Sequence, residues 1–337
     1  MASGPNLGEN GVRATNDGLA YMCPGSLVIG TDPDFNLPWP TIRVPSALEI
    51  FRRVLNFGKY DCEISDKGRY ESETISKLGG VDCAGDAFRD AGTSALFHKF
   101  LDRSPSAKDG GVLLKDQRRY LDFVAISKLL GSNEFATEII DSYISRKILY
   151  RGFVLACRHC SSVEWFSVDE IGHTFTCRRC GNTQQYGKAS WRNGNEPAWF
   201  YKLDEIVYQA VLNNSAAPIL TLAAIRRSAK DSFLLCPELR ISVQGDKKHR
   251  MEIDICCIPD GKLCIGEAKS NGTLATNDVS AGDAAARYRD LAEKIGATGV
   301  IFSTSTAEWD KASQSAMHAT FKALPHIELL TLVAADL

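Results

Sequence analysis

Two groups of residues in this 337-residue chain have the types and spacing of chemical sites. The first is made of thiols. Cys157 and Cys160 stand in CRHC and Cys177 and Cys180 in CRRC, a C-x2-C-x16-C-x2-C pattern. Each CxxC pair forms a knuckle that presents two thiolates from one tight turn, and two knuckles supply the tetrahedral sulfur set that Zn²⁺ favours. The set is complete without His159 or His173, so the expectation is one structural zinc rather than a catalytic one. A disulfide or redox role is the alternative. The second group is charged and lies within Met251 to Ser270, MEIDICCIPDGKLCIGEAKS. Asp260-Gly261 between two apolar runs predicts a tight hairpin turn, because both central residues need φ > 0. That turn sets Pro259 opposite Lys262 and, counting outward, Asp254 opposite Glu267. Side chains alternate along a strand, so Glu267 and Lys269 share a face. Two carboxylates and an ammonium then converge on one patch.

Buried charges are tolerated where they pair, bind metal or do chemistry. Carboxylates at the ends of adjacent strands bind hard cations such as Mg²⁺. A divalent cation there activates water and stabilises negative charge on a phosphate. A neighbouring ammonium orients the water or offsets developing charge. The set suits phosphodiester hydrolysis. The alternative is a salt-bridged hairpin end, Lys269 paired with Glu267, without catalysis. Glu252, two residues before Asp254, is a spare carboxylate on the same face.

The elements that must hold these groups follow from pattern. A hydrophobic content of 44% and a charged content of 24% are those of a globular protein of two or three domains. No apolar run reaches the roughly 20 residues of a membrane span, and the polar N-terminus has no signal-like core, which predicts a cytoplasmic protein. A net charge of −2 gives no global basic field, so any nucleic-acid contact must come from local patches. Lys247, Lys248 and Arg250 in the loop before the hairpin form one such patch. Arg158, Arg178 and Arg179 on the knuckles form another, unless they are solvated arginines on a folding staple. The chain has 11 cysteines, and those outside the knuckles (Cys23, Cys62, Cys83, Cys236, Cys256, Cys257, Cys264) read as reduced thiols in the cytosol.

Residues 1–40 predict a flexible tail and loop, and 41–150 a mainly helical domain. Within the latter, helices are expected over 48–57, 87–101, 118–130 and 134–148, followed by a strand over 150–157. The helix, turn, helix, strand order near 115–156 fits a winged-helix unit with Ser142, Arg146 and Lys147 on its second helix. A helical packing or dimerisation domain with no nucleic-acid role is the favoured reading, since two helices and a strand are a common arrangement. The zinc ribbon occupies 151–190, with a polar linker over 181–198. From 199 onward the expected order is α, α, β, β, β, α, β, α, β, an α/β sheet with the hairpin in its middle. The first of those helices, WFYKLDEIVYQAVLNN, carries Glu205 beside its apolar stripe, either as a half-exposed glutamate or as a third acid for the hairpin site.

With Asp254 on one hairpin strand and Glu267-Ala268-Lys269 on the next, residues 199–337 resemble the PD-(D/E)xK nuclease superfamily, the restriction-endonuclease-like fold. The usual proline before the aspartate is replaced here by Ile253. The resemblance implies a mixed sheet flanked by helices and a metal-dependent nuclease. It implies Asp254 and Glu267 as ligands of Mg²⁺ or Mn²⁺, Lys269 as the catalytic lysine, and Glu205 as the acid this family often carries on the helix before the sheet. DNA is the expected substrate rather than RNA, in genome defence or DNA processing. No Walker A loop or methyltransferase-type glycine motif is present, so motor or modification functions would sit on protein partners. The competing function is a non-catalytic adaptor in which zinc-ribbon and winged-helix modules dock on nucleic acid or a partner.

Overall fold

A computed structural model of the chain describes residues 11–15, 18–23, 26–28, 45–103, 111–116, 118–191, 197–246, 248–276 and 279–337. The chain is of mixed α/β type. Within the first 45 residues, strands β1 (Gly11–Thr15), β2 (Gly18–Cys23) and β3 (Ser26–Val28) pair in sequence as an antiparallel sheet. The remainder of the expected tail lies outside the described residues.

From Ser46 onward the chain forms a second unit. It begins with α1 (Ala47–Phe57), started by a capping box in which Ser46 accepts from the Glu49 amide and Glu49 reaches back to the Ser46 amide. Next come β4 (Tyr60–Ile64), α2 (Asp66–Leu78), α3 (Val81–Arg89), α4 (Ala91–Leu101), β5 (Gly111–Leu113) and β6 (Arg119–Asp122). The middle of the chain holds α5 (Phe123–Leu130), α6 (Asn133–Ser145), β7 (Leu149–Ala156), β8 (Val163–Ser167), β9 (Thr174–Thr176), β10 (Thr183–Gln185) and β11 (Phe200–Leu203). The last part runs α7 (Glu205–Leu212), α8 (Ala216–Ser228), β12 (Phe233–Cys236), β13 (Leu239–Val243), β14 (His249–Ile253), β15 (Ile255–Pro259), β16 (Cys264–Lys269), α9 (Ala281–Ile295), β17 (Gly299–Thr304), α10 (Lys311–Phe321) and β18 (Glu328–Leu332).

Three expected helices change at an aspartate. Asp90 ends α3 and caps α4 by accepting the Thr93 amide, which splits the helix expected over 87–101. Asp122 and Asp204 cap α5 and α7, so the residues before each are released from the helix. Those residues, Arg119–Asp122 and Phe200–Leu203, pair with one another as β6 and β11. Short aspartate side chains compete for backbone amides and favour caps over helix interiors. The helix, turn, helix, strand order near 115–156 is present as α5, α6 and β7. Ala136, Ile140 and Tyr143 of α6 pack into a helical core shared with α2 to α5 and α7, and Arg146 donates to the carbonyl of Leu78 at 2.6 Å.

The C-terminal sheet has the order β12-β15-β16-β17-β18. Its first two pairings are antiparallel and its last two parallel, with α9 and α10 as the crossovers. Ile255, Cys257, Cys264, Ala268 and Ile301 face α8. Cys256, Ile265, Val300 and Phe302 face the opposite way, into a core with α1, α9 and α10. This core crosses the boundary expected at 199, since α1 belongs to it and β4 joins β13 and β14 in a small three-stranded sheet.

The small sheet and the C-terminal sheet are two halves of one bent hairpin. Cys236 pairs with Cys256 in one and Leu239 with Ile253 in the other, on a single continuous register. The bend falls at Pro237-Glu238 on one strand and Asp254 on the other. Proline has no amide to give the ladder, which suits a strand break. The second turn is as expected: Asp260 and Gly261 take φ of 48° and 80°, and Ile255 pairs with Gly266, which leaves Asp254 beside Glu267. Glu238, Asp254 and Glu267 therefore form a row across three neighbouring strands.

Helix α2 lies against that row because residue 68 is glycine. A Cβ at Gly68 would come within 2.5 Å of the Glu238 carbonyl oxygen. Gly68→Ala is expected to push α2 off the strand bend and to destabilise the chain by about 1–3 kcal/mol. Thermal unfolding measures that cost.

Candidate functional site

Asp254 sits where β14 passes into β15, and β16 carries Glu267 and Lys269 on the face turned toward α9. The three line one cleft of about 400 Å³. Lys269 is ion-paired with Glu267. The second Glu267 oxygen accepts the hydroxyl of Tyr288 on α9, and that hydroxyl also lies 2.9 Å from the Glu252 carbonyl oxygen. Asp254 accepts the Ala268 amide at 3.1 Å on one oxygen. Its other oxygen receives the ammonium of Lys67, on the first turn of α2, at 2.9 Å. The same ammonium is 2.6 Å from Glu238. Glu238 also accepts the hydroxyl of Ser65, the residue that caps α2.

One acid has no such partner. Glu71 projects from the next turn of α2, is 1% exposed, and has no hydrogen bond to either carboxylate oxygen among the described residues. Burial drives its pKa well above the usual carboxylate range, with Lys67 opposing and Asp254 and Glu238 adding to the rise. Burial and the neighbouring Asp254 raise Glu238 and Glu267 to about 7 each. Burial also works against ionised Asp254, but Lys67 and its hydrogen bonds hold that group below its ordinary value. Glu71 and Glu238 thus lie beside Asp254 and Lys67, while Asp254, Glu267, Lys67, Lys269 and Arg287 line the cleft. The raised acids hold protons that a bound cation would replace. Carboxylate oxygens are the donor type that hard cations take, and binding one would displace protons.

Glu71 provides a measurement of this strain. Its raised pKa means that the folded chain holds a proton the unfolded chain gives up above about 4.5. Without added cation, stability should therefore fall as pH rises above that value. Glu71→Gln removes the titrating group and should flatten this pH dependence, so its melting temperature should gain on the wild type between pH 5 and pH 8. Calorimetry on both proteins at pH 5 and pH 8 checks this.

The structure places Glu205 elsewhere. It is exposed on the first turn of α7, paired with Arg118 at 2.5 Å and with Gln209 at 2.8 Å, and does not line the cleft. The strand β11 takes up the residues expected to begin that helix, which turns its first residue outward. Glu252 lines the cleft but is tied to Arg240 at 2.8 Å. Lys67, Glu71 and Glu238 are the residues that the sequence reading missed. The buried face of α2 is Gly68, Glu71, Thr74, Ile75 and Leu78, so its first turns lack an apolar stripe. Its legible signals were Ser65 as cap and Gly79 as stop.

The four knuckle cysteines come together. Cys157 and Cys180 Sγ are 3.7 Å apart, as are Cys160 and Cys177, and all four sulfurs lie within 4.8 Å of one another. Four sulfurs at about 2.3 Å from a central Zn²⁺ stand about 3.8 Å from one another. Both knuckles use the same turn: the amides of Ser161 and Gly181 donate to the carbonyls of Cys157 and Cys177, with φ of 59° and 70°. Backbone amides of Cys160 and His159, together with the Gln184 side chain, lower the pKa of Cys157 to about 6 and so favour its thiolate. His159 and His173 are exposed and outside the sulfur cluster. The first knuckle is also the β7–β8 turn of a sheet ordered β5-β6-β11-β7-β8, so the ribbon is continuous with its surroundings.

Of the basic candidates, Arg178 is engaged by Glu170 and the Trp165 carbonyl. Arg158, Arg179, Lys248 and Arg250 are exposed, and Arg250 reaches Asp246 only at 3.9 Å. Lys247 lies outside the described residues. Among the described residues, no helix is long and apolar enough to cross a membrane.

No family model, curated protein or solved structure matches this chain.

Proposed function

We propose that this chain is a metal-dependent nuclease with a restriction-endonuclease-like catalytic core, hydrolysing phosphodiester bonds in DNA. The observation that carries the reading is the convergence of buried Asp254 with half-buried Glu267 and Lys269 in one cleft, beside the buried carboxyls of Glu71 and Glu238. A salt-bridged hairpin end needs only the Lys269–Glu267 pair. It gives no reason to bury Glu71 and Glu238 beside Asp254.

Asp254 and Glu267 would hold Mg²⁺ or Mn²⁺, with Glu71 as the unpartnered carboxylate within the cluster. The cation would supply charge stabilisation at the phosphate and a more acidic water. Lys269 would orient the attacking water and offset charge that develops on the phosphate. Tyr288 fixes the Glu267 carboxylate by hydrogen bonding, and Lys67 fixes Asp254 and Glu238. The four cysteines hold one structural zinc that staples the β7–β8 turn. Any role in genome defence, and any protein partner, would follow from what delivers DNA to the cleft.

The test is an assay of single- and double-stranded DNA and RNA with Mg²⁺, with Mn²⁺ and with chelator. Cleavage of DNA in the presence of either ion, lost in chelator, is the expected result. No cleavage of any substrate, or cleavage indifferent to chelator, contradicts the reading.

A further inference from the structure

A second cavity, of about 470 Å³, adjoins the acid cleft, and the two share Met251 and Arg287 in their linings. Its charge is opposite. Arg250, Arg287 and Lys294 line it against a single acid, Asp290, and that acid is paired with Arg289 at 2.6 Å. The chain as a whole carries −2, so this positive rim is local. The rest of the lining is apolar or aromatic: Ile241, Val243, Met251, Leu291 and Tyr60.

Helix α9 builds a wall of both cavities. Ala284, Arg287 and Tyr288 face the acid cleft, and Arg287, Asp290, Leu291 and Lys294 face the second cavity. The latter four have the i, i+3, i+4, i+7 spacing of one helix face. Arg287 and Lys294 are about 10 Å apart along the axis. Arg287, at the junction, is exposed and has no ion pair or hydrogen bond among the described residues. Lys294 lies 3.1 Å from the Tyr60 hydroxyl and over the Tyr60 ring.

We propose that the second cavity seats one unpaired nucleotide of the strand whose phosphodiester lies in the acid cleft. This rests on the nuclease reading of that cleft. Arg287 would bind the phosphate between the two cavities, and Arg250 and Lys294 the next one along. The apolar floor and Tyr60 would take the base. Phosphate contacts position a strand, and apolar or aromatic surfaces hold splayed bases. A duplex keeps its bases stacked inside and offers that floor nothing unless a base is flipped out. The ligand class is therefore a single-stranded or locally unpaired nucleic acid.

The experiment is fluorescence anisotropy with the full chain in Ca²⁺, which suppresses cleavage. Its probes are a labelled oligothymidylate, the same strand in a blunt duplex, and an abasic oligomer of equal length. The single strand is expected to bind about tenfold tighter than either of the others. Arg287→Ala and Lys294→Ala should each weaken single-strand binding by about threefold to tenfold and lower the salt slope by about one. Lys128→Ala, on α5 and lining neither cavity, should change neither. Both test positions are exposed, and thermal unfolding shows that the variants are folded. Equal binding of all three probes, or unchanged binding by both variants, overturns the proposal. If binding follows the expected pattern but nothing is cleaved, the cavity stands and the catalytic reading falls. If Asp254-dependent cleavage persists while both variants bind as wild type, the cavity reading alone falls.

Discussion

Replacing Asp254 with alanine is expected to abolish cleavage, by on the order of a thousandfold or more. The carboxylate is 6% exposed and receives Lys67 on one oxygen and the Ala268 amide on the other. On the proposed reading its loss removes a ligand to the cation, and it frees Lys67 to shift toward Glu238, so the charge pattern of the cleft would change as well as its affinity. Lys269→Ala tests a different property. That ammonium neutralises Glu267, so without it the cation should bind at least as tightly, while the rate falls by on the order of 10²–10³-fold through lost charge stabilisation. Isothermal titration with Mn²⁺ separates the two: Asp254→Ala loses binding and activity together, and Lys269→Ala loses activity alone. If Lys269→Ala cleaves at the wild-type rate, that residue is a structural counter-ion.

Replacement of a knuckle cysteine should have the largest effect on stability. Cys177 is 2% exposed, and its sulfur is one of four set at the spacing of a tetrahedral ion. Structural zinc contributes roughly 10 kcal/mol or more of metal-linked folding energy in isolated ribbons, and three sulfurs do not hold it as four do. Cys177→Ser is therefore expected to purify with no zinc, against one per chain for the wild type, and to melt at least 10 °C lower. The loss should reach beyond the ribbon, because β7 pairs with both β8 and β11. Asp254→Ala should retain its zinc in full. Elemental analysis of the two variants thus shows whether the sulfur and carboxylate sites are independent. Full zinc content in Cys177→Ser would contradict the four-thiolate assignment.

Much of both sites was legible in the sequence, for a definite reason. Asp260-Gly261 demands one turn geometry, and that geometry fixes the register that sets Asp254 beside Glu267. The two CxxC pairs are equally local, since each knuckle is a six-residue turn that needs no knowledge of the fold. What stayed hidden depends on long-range packing. Glu238 reaches the cleft through a second hairpin whose register slips at a bulge between Ile241 and Ser242. A count outward from that loop misses its pairing with Asp254 by one residue. Glu71 and Lys67 come from a helix 183 and 187 residues earlier than Asp254 in the chain, on a buried face that starts with glycine and glutamate. Glu205 was a reasonable choice for the acid of a preceding helix. The cap at Asp204 decided against it by starting α7 only at Glu205, later than expected, where Glu205 is exposed and paired with Arg118.

On the proposed function, the carboxylate cleft performs metal-dependent phosphodiester hydrolysis. The most direct measurement compares wild type with Lys269→Ala on supercoiled plasmid, both carrying their full zinc, before and after Mg²⁺ is added. Nicked or linear product from the wild type only after Mg²⁺, with little or none from Lys269→Ala, is the predicted result. Equal cleavage by the two proteins, or cleavage that begins before Mg²⁺ is added, would contradict it.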